Sequence, residues 1–211
     1  CNNPVTVGQP IPGLQIRLGN MEELQVKGPT VMKGYWKRPD ATAEVFTEDG
    51  WFKTGDQADL SDAGRIRIKG RIKEIIVTST GEKIPPTDME LAIQTDPLFE
   101  QVMVVGEARP FITALAVVNE AEWEKFAKEF NVDPTDERML MRRDIRMAAL
   151  KRLKKAASRF PQYGIPRNIR LLKEHWTVDN GCLTVTMKLR RPIIREKLRA
   201  EIDELYTVPQ N

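Results

Sequence analysis

Two unbroken apolar runs in the second half of the chain constrain its fold most. Val102–Val105 and Ala114–Val118 contain no polar residue. A strand with one face in water alternates apolar and polar residues, whereas a continuous apolar run indicates a strand covered on both faces. The runs therefore predict a short central sheet flanked by helices.

Helical patterns lie on either side of these runs. Thr87 is predicted to cap a helix that opens at Pro85-Pro86 and ends near Asp96, because Glu90 follows three residues later and completes a capping box. The other predicted elements are strands at Glu74–Val77 and Ile169–Leu172, a turn at Thr78–Lys83, and helices at Ala121–Phe130, Glu137–Ser158 and Pro192–Leu205. This half of the chain is predicted to be a compact α+β domain.

Residues 1–70 have a different character, with short β-like segments separated by glycine and proline. The predicted elements are strands at Ile16–Leu18, Leu24–Val26 and Arg65–Lys69, and a helix at Asp40–Phe46 with Asp40 as its N-cap. The pattern changes at Arg71–Glu74, so we place the domain boundary there. The chain is thus predicted to have a β-rich segment over 1–70 and an α+β domain over 71–211.

Composition excludes several classes of function. Of 211 residues, 41% are hydrophobic and 30% charged, as in ordinary soluble proteins. A net charge of +3 is too balanced to indicate nucleic-acid binding. The single histidine, His175, leaves no His-based metal site and no Ser-His-Asp triad. No metal ligands are therefore predicted in this chain.

The cysteines, the apolar runs and the start of the sequence bear on the cellular location of the protein and on whether this chain is part of a larger one. Cys1 and Cys182 are far apart, so a disulfide framework is not expected and a reducing, cytoplasmic compartment is favoured. No apolar run approaches the roughly 18–20 residues that span a bilayer. Because the sequence opens at Cys1 in the middle of a motif, we expect a fragment of a larger protein.

Two short motifs carry side chains suited to a nucleotide. Asp56 ends the run W-F-K-T-G-D, and an ionised carboxylate can accept both neighbouring hydroxyl groups of a ribose. Arg71 opens the run R-I-K-E, and its fixed, permanently charged fork suits a polyanion. The alternatives are an aspartate that caps a turn and a surface ion pair of Arg71 with Asp59 or Asp62.

Four stretches, in order, resemble the acyl-adenylate-forming (AMP-binding) superfamily, which includes acyl-CoA synthetases, luciferases and the adenylation domains of peptide synthetases. They are Val26–Trp36, Glu44–Asp56, Gly70–Pro86 and Asn180–Arg191. The runs V-T-S-x-G-E-K-I-P-P and L-T-x-T-x-K-L-R-R look most like long-chain fatty acid–CoA ligases. Met187 stands where most members have the glycine of a T-G-K pattern.

The resemblance implies both a reaction and an architecture. Members of the family activate a carboxylate with ATP to acyl-AMP and pyrophosphate, then pass the acyl group to the thiol of coenzyme A. A large N-terminal domain precedes a small mobile C-terminal domain. This chain would be the end of the large domain and the whole small one. The phosphate loop, the Mg²⁺ ligand and the fatty-acid pocket are expected upstream, so the chain alone is predicted to be inactive and to bind ATP weakly or not at all.

The resemblance also assigns roles near the domain boundary. Asp56 would bind the ribose hydroxyls of ATP and acyl-AMP, and Arg71 would make a second contact with ribose or phosphate. Lys73 would be the hinge at which the small domain rotates between the two half-reactions. An exposed lysine at a strand end would look the same in the sequence.

Two loops receive roles in the same way. Lys188 would be the catalytic lysine of adenylation, on a loop with Thr184 and Thr186, although it also belongs to a basic cluster before a helix. Thr80, Gly81 and Glu82 would line the tunnel for the pantetheine arm of coenzyme A. A plain hairpin turn is the alternative for these three residues.

The predicted helix at Glu137–Ser158 is rich in cations. They are Arg138, Arg142, Arg143, Arg146, Lys151, Arg152, Lys154 and Lys155, with Arg159 at the exit. This surface could meet the phosphates of coenzyme A or an anionic membrane, or it could be a solvated face. Aromatic residues are predicted to be structural: Tyr35 and Trp36 in the core, Trp51 and Phe52 behind Asp56, and Trp176 beside His175.

Three readings of the function follow. The leading one is the C-terminal part of a long-chain fatty acid–CoA ligase, with fatty acid, ATP and coenzyme A as substrates and the missing N-terminal domain as partner. The second is a ligase for another carboxylic acid. The third is a non-catalytic module that kept the fold, against which the joint presence of Asp56 and Lys188 argues.

Overall fold

The computed structural model describes residues 6–62 and 64–207, so Cys1 lies outside the described residues. The chain divides into two compact units, and the boundary lies between Ile75 and Ile76. The predicted boundary region, Arg71–Glu74, directly precedes this point. As predicted, helices and sheets are mixed in an α+β fold. No helix in the described ranges is both long and apolar enough to cross a membrane.

The first unit contains an antiparallel sheet. Its strands pair in sequence order and are β1 (Gln15–Leu18), β2 (Glu23–Lys27), β3 (Phe52–Asp62) and β4 (Arg65–Arg71). A small core of Leu24, Ala58 and Ile66 lies on it. The sheet places the ends of β3 and β4, and with them the T-G-D motif and Arg71, side by side.

Helix α1 (Pro39–Val45) and the loop before it correct two predictions. The N-cap of α1 is Arg38 rather than Asp40, because Pro39 occupies the first helical position, where its missing N–H is not needed. Tyr35 and Trp36 are not core residues: their exposed fractions are 47% and 86%. They lie in the irregular segment between β2 and α1, where the ammonium group of Lys37 is 5.8 Å from the centre of the Trp36 ring.

Trp51 and Phe52, predicted to be packing residues, are both partly buried. The Arg17 guanidinium lies 4.5 Å from the centre of the Trp51 ring. The Phe52 ring meets Phe46 edge-on at 5.5 Å. These contacts hold the start of β3, which leads directly into the T-G-D motif.

The second unit is built on the strands that the apolar runs predicted. They are β7 (Phe99–Val105), β8 (Thr113–Val118) and β9 (Ile169–Leu172), after a short hairpin of β5 (Ile76–Val77) and β6 (Lys83–Ile84). β7 pairs antiparallel with β8, and β8 pairs parallel with β9. Every residue of β8 is buried, as expected for a strand covered on both faces.

Helices cover both faces of this sheet. The first face packs on α2 (Pro86–Ile93), α3 (Glu120–Glu129) and α4 (Arg143–Ala156), and the second on α5 (Arg191–Lys197) and α6 (Arg199–Thr207). Trp123 belongs to the core on the first face, and Trp176 belongs to the core on the second. Both cores are continuous with the sheet, which makes it a firm support for the loops at its edges.

The predicted helices are confirmed in kind, but several of their ends differ. The predicted helix at Glu137–Ser158 is a 3₁₀ turn at Glu137–Met141 followed by α4, because Arg142 between them has extended backbone angles. The predicted helix at Pro192–Leu205 breaks at Leu198 into α5 and α6. The predicted strand at Glu74–Val77 begins only at Ile76, after a 3₁₀ turn at Ile72–Glu74.

The capping box predicted at the start of α2 is wrong. Pro85 is the N-cap residue, and no side chain caps the helix. Glu90 is instead buried: its carboxylate accepts the backbone N–H of Val104 at 2.8 Å and forms an ion pair with Arg191. The tertiary contact outweighs the local one because a buried carboxylate needs a cationic or hydrogen-bonding partner.

Candidate active site

Asp56 and Arg71 lie directly opposite each other on β3 and β4. The Nη1 of Arg71 donates to the Oδ1 of Asp56 at 2.8 Å and to the carbonyl oxygen of Thr54 at 3.2 Å. The hydrogen bond to Asp56 raises the pKa of Arg71 above its usual value. Asp59 and Asp62, the partners considered from the sequence, pair in register with Arg67 and Arg65 instead.

The backbone around Asp56 is fixed by the T-G-D motif. Gly55 has a φ of +72°, a left-handed conformation that favours glycine. Thr54 Oγ1 donates to the carbonyl oxygen of Leu24 at 2.7 Å and accepts the N–H of Asp56 at 3.1 Å. The Thr54 hydroxyl therefore links the backbone of Asp56 to the neighbouring strand β2.

The chemistry of this pair fits a ribose next to phosphates. The side chains of Asp56 and Arg71 are 28% and 57% exposed. Within the described part of the first unit, Asp56 Oδ2 accepts no hydrogen bond, so it is available to a hydroxyl donor. The guanidinium beside it retains donors for an anion.

Lys73, the predicted hinge, is exposed in the 3₁₀ turn at Ile72–Glu74. It thus lies among the last residues of the first unit, which ends at Ile75. Its side chain makes no ion pair within the described residues of that unit. A solvated side chain at a boundary is compatible with a hinge, and the hinge role of Lys73 stays a prediction.

Lys188 lies at the end of a tight hairpin loop. Leu183 and Leu189 form an antiparallel bridge at its base. The N–H of Thr184 donates to the carbonyl oxygen of Lys188 at 2.9 Å, and the Oγ1 of Thr184 accepts the N–H of Lys188 at 3.1 Å. Thr184 and Thr186 share a hydroxyl hydrogen bond of 3.0 Å. The two threonines therefore fix the loop that carries the lysine.

The lysine side chain itself is exposed. In the described part of the second unit, no carboxylate forms an ion pair with it. Met187, just before it, has a φ of +60°, the conformation in which the resemblance expects glycine. The loop thus presents a solvated ammonium group on a defined backbone, with methionine in a position that costs it energy.

Thr80, Gly81 and Glu82 belong to the loop between β5 and β6. Gly81 has a φ of +84°, and its N–H donates to the carbonyl oxygen of Thr78 at 3.0 Å. Thr78 Oγ1 accepts the N–H of Glu82 at 3.1 Å and shares a hydrogen bond of 2.9 Å with Thr80 Oγ1. The sequence analysis did not name Thr78 as a candidate. The available signal was its position shortly before the Gly81-Glu82 pair.

The nine cations of the α4 region differ in their surroundings, and one of them, Arg146, is partly buried. Four of them are in ion pairs: Arg138 with Asp136, Arg142 with Asp144, Arg152 with Asp96, and Arg159 with Asp88. Others are exposed without an ion pair inside the described second unit: Arg143, Lys151, Lys154 and Lys155. The predicted basic surface is therefore narrower than the sequence indicates.

The remaining residues considered from the sequence, His175 and Trp176, are predicted to be structural rather than catalytic. His175 Nε2 lies 3.3 Å from Glu100 Oε1, and Trp176 is buried. Among the described residues, no group of three or more histidine, cysteine and acidic side chains is arranged to hold a metal ion.

Comparison with known proteins identifies the family of the chain. The family model for the AMP-binding enzyme C-terminal domain matches residues 73–209. The chain is 37% identical over 209 residues to the long-chain-fatty-acid–CoA ligase FadD15 of Mycobacterium tuberculosis, covering 95% of this chain and 34% of that protein. It is 34% identical to the human long-chain-fatty-acid–CoA ligase 1, covering 95% and 31%. The chain thus spans about a third of the length of these curated relatives.

Solved structures give the same result. The adenylation domain of a carboxylate reductase from Mycobacterium chelonae is 26% identical with a TM-score of 0.74, over 95% of this chain and 32% of that one. The A domain of the Segniliparus rugosus carboxylic acid reductase, in complex with AMP and a co-purified carboxylic acid, is 26% identical with a TM-score of 0.72, over 94% and 32%. The chain therefore belongs to the AMP-binding, acyl-adenylate-forming enzymes, and residues 73–209 match the C-terminal domain of that family.

Proposed function

We propose that this chain is the C-terminal part of an ATP-dependent long-chain fatty acid–CoA ligase. In the first half-reaction, the fatty-acid carboxylate attacks the α-phosphorus of ATP and pyrophosphate leaves. In the second, the sulfur of coenzyme A attacks the acyl carbonyl and AMP leaves. The curated relatives named as long-chain-fatty-acid–CoA ligases support this substrate class.

One observation supports the proposal most directly. Lys188 is exposed, makes no ion pair among the described residues of the second unit, and lies on a hydrogen-bonded hairpin inside the domain that the family model matches. A flexible ammonium group acts as a point charge that can reach two oxygens at once. Lys188 would lie at the carboxylate and the α-phosphate and would stabilise the charge that develops there as the new bond forms.

The first unit would hold the nucleoside. Asp56 Oδ2 would accept the ribose hydroxyls, while Oδ1 keeps Arg71 in place. The guanidinium of Arg71 would contact the ribose or a phosphate. This division of labour needs the observed ion pair, because it fixes both side chains before the ligand arrives.

Lys73 and the loop of Thr80, Gly81 and Glu82 would serve the second half-reaction. Lys73 would take up the backbone change as the small domain rotates. Gly81, without a side chain, would let the pantetheine arm pass close to the backbone. These two roles rest on the family resemblance and on the exposure of both segments.

The decisive experiment uses the complete protein that carries this chain. Pyrophosphate release would be measured with ATP, Mg²⁺, coenzyme A and a panel of short, medium, long-chain and aromatic acids. We expect the highest kcat/KM with long-chain fatty acids. A maximum with another acid would point to a different ligase of the same family, and no release with any acid would indicate a non-catalytic module.

A second experiment concerns the chain alone. The phosphate loop and the Mg²⁺ ligand of the family do not occur in these 211 residues, so we expect no adenylation and weak or no ATP binding. Isothermal titration of this chain with ATP would measure the affinity. Micromolar binding would contradict the expectation.

We further propose a cytoplasmic location.

The exposed cations Arg143, Lys151, Lys154 and Lys155 would contact phosphates, either those of coenzyme A or those of an anionic membrane surface. Co-sedimentation with phosphatidylglycerol vesicles, with and without coenzyme A as competitor, separates the two. Replacing these four residues by glutamine should weaken binding only to the phosphate source that they contact, either the vesicles or coenzyme A.

A further inference from the structure

A buried ion pair joins Glu90 on α2 to Arg191 at the start of α5. Nη1 of Arg191 lies 2.6 Å from Oε1 of Glu90, and Nη2 lies 2.6 Å from Oε2. The side chains are only 6% and 16% exposed. The two residues are 101 positions apart in the sequence, so the pair is a tertiary link and not a helix-surface contact.

The pair lies at the base of the Lys188 loop. Arg191 is three residues after Lys188, and the N–H of Arg190 donates to the carbonyl oxygen of Cys182 across the base of the hairpin at 2.8 Å. At the other end of the link, Glu90 also accepts the backbone N–H of Val104 on β7 at 2.8 Å. The ion pair therefore connects the loop to the central sheet.

The two strands of the hairpin are held in different ways. The entering strand is anchored by burial, because Cys182 and Leu183 belong to the core on the second face of the sheet. On the returning side, Lys188 and Arg190 are exposed and Leu189 is only partly buried. The returning side is thus held by the packing of Leu189, by the backbone bond of Arg190 to Cys182 and, through a side-chain ion pair, by the Arg191 fork.

A buried ion pair is a poor means of gaining stability. Its desolvation cancels much of its attraction, and well-packed apolar residues often stabilise equally well. A planar guanidinium with two parallel bonds to a carboxylate does fix orientation, however. The geometry therefore favours a positioning role over a purely stabilising one.

We propose that Glu90 and Arg191 are positioning residues that hold the returning strand of the loop and so aim Lys188 in the adenylation step. This inference rests on the proposed function of Lys188. Because the pair fixes the loop in one orientation, its loss should affect the half-reaction that uses Lys188 more than the half-reaction that does not.

The test uses the complete ligase and both half-reactions. Arg191→Met alone leaves the Glu90 carboxylate buried without its cation, so this variant can fail to fold. The double variant Glu90→Gln/Arg191→Met removes both charges, and the introduced amide keeps an oxygen for the N–H of Val104. Circular dichroism and the thermal midpoint verify that the double variant is folded.

We expect adenylation in the folded double variant, measured as pyrophosphate release, to fall by about tenfold or more, since misplacing a catalytic group by about 1 Å can cost up to about a hundredfold. Thioester formation from supplied acyl-AMP and coenzyme A should fall by less than about threefold. The loss should appear in kcat rather than in the KM for ATP. Arg191→Lys, which keeps the charge but not the fork, should show an intermediate rate of adenylation.

Arg152→Met is the matched control. Arg152 also pairs with a carboxylate through two nitrogens, Nε and Nη2, to Asp96, in the same unit and partly buried. Arg152 lies on α4, and neither of these bonds involves the Lys188 hairpin. Its loss should lower the thermal midpoint without changing the ratio of the two half-reaction rates.

Two results would overturn the positioning role: unchanged adenylation in the folded double variant, or an equal fall in both half-reactions. Lys188→Ala tells this failure from a failure of the proposed function. If Lys188→Ala keeps full adenylation, or the wild-type protein releases no pyrophosphate with any acid, the proposed function is wrong and the role of the pair falls with it.

Discussion

The loops at Thr78–Glu82 and Thr184–Lys188 have the same backbone hydrogen bonds. In both, the N–H of the first residue donates to the carbonyl of the fifth, at 3.0 Å and 2.9 Å, and the N–H of the fourth donates to the carbonyl of the first, at 3.0 Å and 2.8 Å. In both, the first threonine accepts the N–H of the fifth residue at 3.1 Å. Both are hairpin loops in which the fourth residue is left-handed.

What differs is the chemistry placed on this common frame. The fourth residue is Gly81 in one loop and Met187 in the other, and the fifth is Glu82 in one and Lys188 in the other. The first threonine is buried in one loop, with Thr78 only 5% exposed, and partly exposed at Thr184 in the other. The comparison teaches that one local turn can present either an acidic or a basic side chain at its last position.

The sharpest way to break the comparison is to remove the two end residues in the complete protein. Lys188→Ala should slow adenylation by about a hundredfold to a thousandfold, as expected for loss of a charge-stabilising group. Thioester formation from supplied acyl-AMP should persist. Glu82→Ala should show the opposite preference, because its loop is proposed to line the pantetheine path. Single-turnover rates of each half-reaction measure both. Similar profiles for the two variants would refute the division of roles.

The threonine hydroxyls test whether the shared hydrogen bonds matter equally. Thr78→Val should destabilise the chain by about 1–3 kcal/mol, because it leaves the N–H of Glu82 unsatisfied next to a buried side chain. Thr184→Val should cost about 0.5–1 kcal/mol, since water can reach its partner. Urea unfolding of the chain gives both free energies. Equal values would show that burial does not distinguish the loops.

Gly81→Met puts the residue of one loop into the other. The backbone φ of +84° disfavours a side chain, although an added Cβ would meet no atom within 4 Å. We expect a net loss of up to about 1.5 kcal/mol in the free energy of unfolding: about 1–2 kcal/mol of backbone strain, less the about 0.5–1 kcal/mol that the flexibility of glycine costs the original chain. Gly81→Ala is the control and should cost about the same. A much larger loss for methionine alone would mean a steric clash instead.

The reverse exchange, Met187→Gly, should have the smallest effect. It relieves a left-handed methionine at φ +60°, but the more flexible glycine costs about 0.5–1 kcal/mol in the unfolded chain. The net result should be a stabilisation of less than about 1 kcal/mol. Thermal unfolding measures it. A clear destabilisation would show that the Met187 side chain, although 68% exposed, makes contacts that the loop needs.

The sequence predicts the layers of the second unit well, because a strand that is buried on both faces consists of a continuous run of apolar residues. The apolar runs at Val102–Val105 and Ala114–Val118 can be read without knowing what covers them. Helix ends are less predictable, because the break at Arg142 comes from one residue in an extended conformation within an otherwise helical pattern. The capping box at Glu90 failed for another reason: its partner, Arg191, is 101 positions away, beyond any local pattern.

The candidate site was likewise predictable only in part. Motifs named Asp56, Arg71 and Lys188, but no pattern indicated that Arg71 would pair with Asp56 itself, since strand register decides which residues are opposite. Nor could a pattern show that Trp36 would be exposed, because aromatic residues are usually buried when a loop packs on a core. Roles inferred from the family remain predictions until the half-reactions are measured.

The sheet of the second unit, with a core on each face, supplies natural optical reporters. Trp123 on the first face is 1% exposed and Trp176 on the second is 4% exposed, whereas Trp36 in the first unit is 86% exposed. A soluble quencher such as acrylamide will therefore reach Trp36 first. Variants that retain only Trp123 or only Trp176 would let fluorescence follow the melting of each helical layer by itself, and show whether the layer that carries the Lys188 hairpin loosens before the other.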